Sequence, residues 1–386
     1  MDYFFTDEQK ELQNLVRKVA QEKVKPVAAH YDQANEFPWE LVKLFAELDL
    51  FRIFVDIDYD GMGGGVTDLC IVTEELSKAC GGISLSVAAS ALGTFPVMIS
   101  GTEDQKQKYL PDLAAGKHLA AFCLTEPDAG SDASAIKTRA VKKGDKYIIN
   151  GRKHFITNGS IAKIYTVIAS TDPDKGSRGA TAFVVEDGTP GLSYGKKEDK
   201  MGIRASVTSE VIFEDCEVPV ENVLGKEGQG FMVAMKTLDK SRPGVASQAL
   251  GIAQGAFDAA IEYARQREQF GQAITSFQGI QFMLADMATQ IEAARAMIYA
   301  TARMIDNGMK NIARESAMCK LFASDVAMKV TTDALQIFGG YGYMKEYPAE
   351  KFMRDAKITQ IYEGTNQIQR LVIARNLIRE SASMTK

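Results

Sequence analysis

Residues 147–159, YIINGRKHFITNG, mark the point at which the hydrophobic pattern of the chain changes from a helical period to a period of two. The stretch begins with an aromatic and β-branched run, and it carries Asn-Gly pairs at 150–151 and 158–159, which favour tight turns. Comparable short runs follow at 166–170, 181–185 and 210–213. Several short strands at this spacing predict a compact β-domain, either a barrel or a sandwich.

Helical patterns flank this region on both sides. Near the N-terminus, apolar residues recur at helical spacing from Leu12 to Val19, and Thr6 with Gln9 forms a capping-box signal. Two more apolar stretches, 66–79 and 83–98, also read as helices. The first part of the chain is therefore predicted to be helical.

Beyond residue 230 the helical pattern returns in long runs, at 231–238, 245–266, 277–309 and 313–338. Runs of this length predict a bundle of four or five helices. The order of patterns predicts an α+β fold of three domains, with expected bounds at 1–118, 119–229 and 230–386.

The composition is that of an ordinary globular protein. Of 386 residues, 46% are apolar and 25% are charged, and the net charge of −5 gives no electrostatic case for nucleic acid or an anionic membrane as partner. No stretch approaches the ~20 uninterrupted apolar residues of a membrane helix. The N-terminal MDYFFTDEQKELQNLV lacks the basic and apolar regions of a secretory signal. A cytoplasmic location is therefore expected.

The cysteine pattern also favours a location inside the cell, in a reducing compartment. Five of them are scattered along the chain with no CxxC spacing: Cys70, Cys80, Cys123, Cys216 and Cys319. This pattern argues against a disulfide framework and against a structural zinc site. A reducing compartment and no metal site are predicted.

Six motifs carry a resemblance to a known family. They are LTEPDAGSD (124–132), INGRKHFITNG (149–159), FEDCEVPVENVLG (213–225), RQREQFG (265–271), QIFGGYGY (336–343) and IYEGTNQIQR (361–370). In this order and spacing they resemble the flavin-dependent acyl-CoA dehydrogenases, in particular the short- and medium-chain members. The resemblance runs through nearly the whole chain. It implies an N-terminal helical domain, a middle β-domain and a C-terminal four-helix-bundle domain.

The resemblance also implies an activity, the oxidation of a saturated acyl-CoA thioester to the trans-2-enoyl-CoA. Glu363 matches the base that takes the α-proton, while the β-hydride goes to flavin N5. Such a base needs a dry pocket that raises its pKa, and the thioester oxygen needs hydrogen bonds as negative charge develops on it. In the family these come from the backbone N–H of the base and a ribityl hydroxyl. Some members carry the base on a helix, at the position of Ser241, and a serine cannot do that work.

Most other motif positions resemble contacts to FAD. The matched positions are Phe122, Leu124, Thr125, Gly130, Ser131, Phe155, Thr157, Arg267, Phe270, Gln278, Gln336, Gly339, Gly340, Thr365 and Gln367. Phe155 stands where many members have tryptophan, so the aromatic face is kept and the indole N–H is lost. Without the resemblance, the hydroxyls read as turn caps, the arginine as a solvated side chain and the glycine pair as a helix end.

Further positions match the acyl-CoA side of the site: Ser131, Asp239, Arg242, Tyr362 and Gly364. In the family the contacts matched by Arg267, Phe270 and the Gly339-Gly340 pair reach the flavin of a neighbouring subunit. The resemblance therefore implies a homo-oligomer, expected to be a tetramer. It also implies electron-transferring flavoprotein as the electron acceptor.

The acyl group is left open by the motifs. The segment 80–98 contains no charged residue, which disfavours a dicarboxylyl-CoA. A linear short-chain acyl group is the first expectation, but Ala88, Ala89 and Ala91 leave room for a cyclic or aryl-propionyl group. Ser84, Ser86 and Ser90 read as packing hydroxyls or as polar contacts to a functionalised tail. Two further hypotheses stay open: operation as an enoyl-CoA reductase, and a non-enzymatic binding protein that has lost the flavin.

Overall fold

The structure, a computed structural model, describes residues 3–384. Its N-terminal unit is helical, and its elements are α1 Asp7–Val19, α2 Ala28–Ala34, α3 Trp39–Glu47, α4 Val66–Ala79, α5 Gly81–Ser100 and α6 Glu103–Ala114. The predicted capping box at Thr6 is confirmed, because its hydroxyl accepts from Gln9 N and the Gln9 side chain accepts from Thr6 N, both at 3.2 Å. The predicted bounds of α4 are confirmed as well.

Helix α5 is a long apolar helix that bears on the expected absence of a membrane helix. By length and composition Gly81–Ser100 is apolar enough to cross a membrane, whereas the sequence predicts no segment of this kind. Most of this helix is buried, and it packs against α4, α7 and β1. It is a core helix that forms one side of the site described below.

The middle unit is a β-domain, as predicted, and its eight main strands form one sheet. Its strands are β1 Ala120–Cys123, β2 Arg139–Lys143, β3 Lys146–Thr157, β4 Ile164–Ser170, β5 Ala180–Glu186, β6 Leu192–Lys197, β7 Thr208–Pro219 and β8 Val223–Leu224. Among the described residues their order is β6-β7-β3-β2-β4-β5-β8, and β1 pairs in parallel with β4. The two long strands β3 and β7 run antiparallel to each other.

The pair Asn150-Gly151 is not a turn, contrary to the prediction. It is an irregularity inside the continuous strand β3, where the pairing register with β7 shifts. The Asn150 amide exchanges hydrogen bonds with Asp215 at 2.8 and 3.1 Å, and a Cβ at Gly151 would meet Thr138 Oγ1 at 2.5 Å. Long-range contacts therefore override the local turn signal. The second pair, Asn158-Gly159, does form a turn after β3.

The C-terminal unit is the predicted helical bundle. Its helices are α7 Gly230–Gln266, α8 Gln278–Asp306, α9 Ala313–Phe338, α10 Ala349–Ile358 and α11 Asn366–Met384, and a small hairpin of β9 Glu268–Gln269 and β10 Gln272–Ala273 joins α7 to α8. The three-domain architecture is confirmed. The exact domain bounds stay a prediction.

Helix α7 is continuous where the pattern predicted two runs separated at Pro243. A proline inside a helix leaves the carbonyl four residues earlier without its usual donor. Here that carbonyl belongs to Asp239, and it accepts from Ser316 Oγ of α9 at 2.6 Å. Helix α9 therefore supplies a replacement for the hydrogen bond that the proline removes. The helical turn that carries Ser241 and Arg242 is thus fixed beside the site.

Candidate active site

A cavity of about 760 Å³ lies where the three units meet. Its walls come from α5, the segment after β1, the end of β3, α7 and the segment between α10 and α11. The predicted site residues that line it are Phe122, Leu124, Thr125, Gly130, Ser131, Phe155, Thr157, Arg242, Tyr362, Glu363 and Gly364. The structure thus brings residues from three of the six motifs, together with Phe122 and Arg242, to one cavity.

Glu363 lies in the short segment that separates α10 from α11. Its φ of 51° is in the left-handed region, an uncommon conformation for a residue other than glycine. Gly364 follows with a φ of 91°, and Thr365 then accepts from Ile368 N at 3.3 Å and begins α11. Two consecutive residues with positive φ therefore keep the backbone non-helical just before α11, and both residues line the cavity.

The carboxylate of Glu363 is held by a neighbour on α7. Ser241 Oγ donates to Glu363 Oε2 at 2.5 Å. Burial raises the pKa of Glu363, and this effect is opposed by the Ser241 hydrogen bond and by the positive charges of Arg242 and Lys320. A raised pKa brings a carboxylate closer to the working range of a general base. Ser241 is thus a partner of the carboxylate, a role that its sequence context did not reveal.

The backbone carbonyls of Glu363 and Gly364 are both engaged in hydrogen bonds. Gln369 Nε2 donates to the carbonyls of Glu363 and Gly364 at 3.1 and 2.9 Å, and Lys320 Nζ donates to Gly364 O at 2.8 Å. The N–H of Glu363 takes part in none of the hydrogen bonds formed among residues 3–384. This N–H remains a donor for a ligand in the cavity.

Arg242 supplies a buried cation in the cavity wall. Its Nη1 donates to Asp239 Oδ1 at 2.7 Å, yet its buried Nε has no partner among the described residues. A buried guanidinium N–H without an acceptor is costly unless a ligand satisfies it. Asp239 itself does not line the cavity and instead orients Arg242. Burial raises the pKa of Asp239, and Arg242 opposes that rise.

The wall formed by the segment after β1 and by the end of β3 fits a flavin. The hydroxyls of Thr125, Ser131 and Thr157 line it together with Phe155, whose side chain is 62% exposed and whose φ is 56°. An aromatic face beside several hydroxyl groups matches the flat apolar body and the polar edge of an isoalloxazine ring. The chemistry of this wall is therefore compatible with FAD.

A buried ion pair that the sequence did not signal holds this wall. Lys153 Nζ donates to Glu126 Oε1 at 2.7 Å and to Leu124 O at 3.0 Å, and both charged side chains are buried. Glu126 also accepts from the backbone N–H groups of Lys137 and Thr138. Burial acts to raise the pKa of Glu126, but Lys153 and these donors outweigh it, and the net pKa is lowered. The ion pair of Lys153 and Glu126 therefore holds residues 124–126 against β3.

The remaining predicted FAD residues lie elsewhere. Arg267, Gly339 and Gly340 line a separate cleft of about 440 Å³, where the Arg267 guanidinium lies 5.5 Å from the ring centroid of Tyr341. Phe270, on the β9–β10 hairpin, is 93% exposed. Other predicted residues line neither cavity: Gln278, Gln336, Thr365 and Gln367. The predicted FAD positions therefore fall in two separate cavities of the chain, and five of them lie in neither.

No group of three or more His, Cys, Asp or Glu side chains in residues 3–384 is arranged to hold a metal ion.

The comparisons with known proteins agree along the whole chain. Three family models match in order: the acyl-CoA dehydrogenase N-terminal domain at residues 6–117, the middle domain at 121–216 and the C-terminal domain at 228–378. The chain is 49% identical to a short-chain specific acyl-CoA dehydrogenase of Clostridium acetobutylicum, covering 98% of this chain and 100% of that protein. It is 50% identical to a cyclohex-1-ene-1-carbonyl-CoA dehydrogenase of Syntrophus aciditrophicus, covering 97% and 90%.

A solved structure gives the same result. The protein superposes with a TM-score of 0.96 on a solved chain. That chain comes from a study of the electron transferring flavoprotein of Acidaminococcus fermentans and of flavin-based electron bifurcation. It is 52% identical and covers 98% of this chain and 100% of its own length. With all three domain models matched and with full-length relatives near 50% identity, the chain belongs to the acyl-CoA dehydrogenase family of FAD-dependent oxidoreductases.

Proposed function

We propose that the protein oxidises a saturated short-chain acyl-CoA to the trans-2-enoyl-CoA, with Glu363 as the base. The observation that carries this proposal is the placement of the Glu363 carboxylate. It faces a largely apolar cavity from a left-handed turn, its pKa is raised by burial, and it is held by Ser241. A carboxylate in this setting is suited to removing a weakly acidic proton from carbon.

The chain's own residues supply the proton chemistry and the positioning. Glu363 accepts the α-proton, and its free N–H donates to the thioester oxygen, which stabilises the negative charge that develops there. Arg242, through its unpaired Nε, binds a polar group of the acyl-CoA. Leu85, Ala89 and Tyr362 exclude water from the reacting carbons. Bound FAD would supply the acceptor for the β-hydride.

FAD would lie against the wall of Thr125, Ser131, Phe155 and Thr157. Its pyrophosphate and adenine would be met by Arg267, Phe270 and the Gly339-Gly340 backbone of a second subunit. The separation of the two clefts within one protomer, and the exposure of Phe270, support this arrangement. The same observations support a homo-oligomer, and the tetramer is proposed from the family resemblance alone. A cytoplasmic location stays a prediction.

Arg267→Ala is expected to weaken FAD binding by roughly 10- to 100-fold, since a charge-assisted hydrogen bond to phosphate is lost. The flavin-to-protein absorbance ratio after gel filtration measures this loss. Arg265→Ala, in the last turn of α7, is the matched control. Flavin content equal to that of the control would contradict the role of Arg267, and acyl-CoA affinity should change less than FAD affinity.

The acyl pocket supports an uncharged substrate. Ala88 and Ala89 line the cavity, and no charged side chain of α5 does. Ser84 and Ser86 donate to backbone carbonyls of Thr73 and Ile83 at 3.2 and 2.8 Å, so these serines serve packing. The short-chain relative supports a linear acyl group, while the cyclohexenecarbonyl relative supports a cyclic one. Cyclic carboxyl-CoA is therefore the second candidate.

Anaerobic titration of the flavin-loaded protein tests the proposal. The acyl-CoA panel comprises butyryl, octanoyl, isobutyryl, cyclohexanecarboxyl, phenylpropionyl and glutaryl thioesters, and the readout is bleaching of the oxidised flavin band. We expect rapid bleaching by butyryl-CoA and none by glutaryl-CoA. Bleaching by the cyclic thioester alone would favour the second candidate. If no thioester bleaches the flavin and an enoyl-CoA reoxidises the reduced protein, the enzyme works as a reductase.

We infer that electron-transferring flavoprotein accepts the electrons. The similarity to a chain from work on such a flavoprotein supports this partner.

A further inference from the structure

Lys320, in the N-terminal third of α9, is fully buried behind the segment that carries Glu363. Its side chain is 0% exposed. Its Nζ donates to Gly364 O at 2.8 Å and to Asn366 Oδ1 at 2.9 Å. Both acceptors are uncharged. Within residues 3–384, the ammonium group therefore has no carboxylate at hydrogen-bonding distance.

The surroundings of this ammonium group contain few charges. The charged groups that act on it are Glu363 from the inter-helix segment, Arg242 from α7 and Asp325 from α9 itself. Asp325 is already engaged by Gln360, Asn366 and Arg370. Burial lowers the pKa of Lys320 to about 7, and the negative charge of Glu363 opposes that fall. Glu363 is thus the carboxylate on which the charge of Lys320 depends most.

The two hydrogen bonds of Lys320 do not by themselves require a charged side chain at this position. An isolated buried ammonium costs several kcal/mol, and an apolar side chain of similar size would pack at lower cost. The lysine is instead placed so that its charge reaches Glu363 through one peptide unit. The influence is reciprocal, because Lys320 in turn opposes the rise in the pKa of Glu363.

We propose that Lys320 is a positioning residue for the base: its ammonium group anchors the Gly364 carbonyl from behind, and its charge keeps the Glu363 carboxylate ionised until the substrate proton arrives. This role rests on the proposed function of Glu363. When Glu363 takes up a proton, the attraction that holds Lys320 charged is lost, so the two groups titrate as a pair.

The direction of the pH effect follows from the charges. Neutralising Lys320 removes a positive charge near Glu363, so the pKa of Glu363 rises and less of the carboxylate is ionised at a given pH. The acid limb of the rate of flavin reduction should therefore move to higher pH in Lys320→Met, by roughly half to one unit. Acyl-CoA affinity should change little, because Lys320 does not line the cavity.

The experiment compares Lys320→Met, Lys320→Gln and Lys320→Arg in the flavin-loaded protein. Lys320→Gln keeps a donor for Gly364 O and removes the charge, whereas Lys320→Arg keeps the charge. Lys329→Met is the matched control, since Lys329 lies on the same helix with a side chain that is 53% exposed and paired with Asp333. We expect an upward shift in Lys320→Met and Lys320→Gln, and an acid limb near the wild-type position in Lys320→Arg and the control.

A second readout reports on Glu363 without turnover. Infrared difference spectra against Glu363→Gln isolate the C=O stretch of the protonated Glu363 carboxyl group. This band should persist to higher pH in Lys320→Gln than in the wild type. An acid limb and an infrared titration that both match the wild type in Lys320→Gln would overturn the proposal, even if Lys320→Met fails to fold. Wild-type protein that reduces no flavin with any thioester would instead overturn the proposed function, and the infrared titration would still test Lys320.

Discussion

Glu363→Gln is expected to lower the rate of flavin reduction by roughly 10²- to 10⁴-fold, the range supplied by a general base. The substitution keeps the size of the side chain and an acceptor for Ser241 Oγ, but the amide cannot take up the α-proton. FAD content and acyl-CoA binding should therefore stay near wild-type values. Rapid mixing measures the rate, and equilibrium titration with a non-reducible acyl-CoA analogue measures the affinity.

Glu11→Gln is the control for this substitution, because Glu11 is an exposed glutamate on α1 that does not line the cavity. It should leave flavin reduction unchanged. A Glu363→Gln protein that reduces its flavin at the wild-type rate would remove Glu363 from the mechanism. A variant that no longer binds acyl-CoA would show that Glu363 acts in binding instead of proton transfer.

Lys153→Met is expected to destabilise the protein by about 3–5 kcal/mol, since it leaves the buried Glu126 carboxylate without its partner. The lost ion pair also releases the Thr125 segment from β3, so flavin retention should fall together with stability. Denaturant unfolding gives the free energy, and absorbance after gel filtration gives the flavin content.

Two further variants make the Lys153 result interpretable. Lys143→Met replaces an exposed lysine on the neighbouring strand β2 and should cost little. Adding Glu126→Gln to Lys153→Met removes the uncompensated charge and should recover part of the lost stability. A loss of less than about 1 kcal/mol in Lys153→Met, the range of exposed pairs, would mean that the pair contributes no more than a surface salt bridge.

Local features of the sequence predict much of the fold. The switch of hydrophobic period locates the β-unit, and the Thr6 capping box and the bounds of α4 follow from residues adjacent in the chain. The turn at Glu363 is also readable, because a carboxylate, a glycine and a threonine interrupt an apolar helical pattern. Such features are predictable because each depends on neighbours within a few residues.

Features that depend on distant partners were not predictable. Continuity of α7 through Pro243 requires Ser316 of α9, and the strand through Asn150-Gly151 requires Asp215 and Thr138. The sequence offers no sign that these residues meet.

The same limit applies to the candidate site. The family resemblance singled out Glu363, Arg242 and the hydroxyls of Thr125, Ser131 and Thr157, all of which line the cavity, but it did not single out Lys153 or Lys320. Each of these lysines bonds a buried partner on another element. A charged residue inside the mostly apolar helical run 317–324 is a local signal from which Lys320 could have been found. Whether such a lysine is buried depends on the packing of α9 against α7 and α11.

The role of Glu363 as the base is best tested by the anaerobic rate of flavin reduction with a thioester deuterated at its α-carbon. The thioester is the panel member that bleaches the flavin fastest, and its unlabelled form is the reference. We predict a clearly slower reduction with the deuterated compound in the wild type, and almost no reduction in Glu363→Gln. If the rate of flavin reduction is the same with the deuterated and the unlabelled thioester, and the same in the wild type and in Glu363→Gln, then Glu363 is not the base.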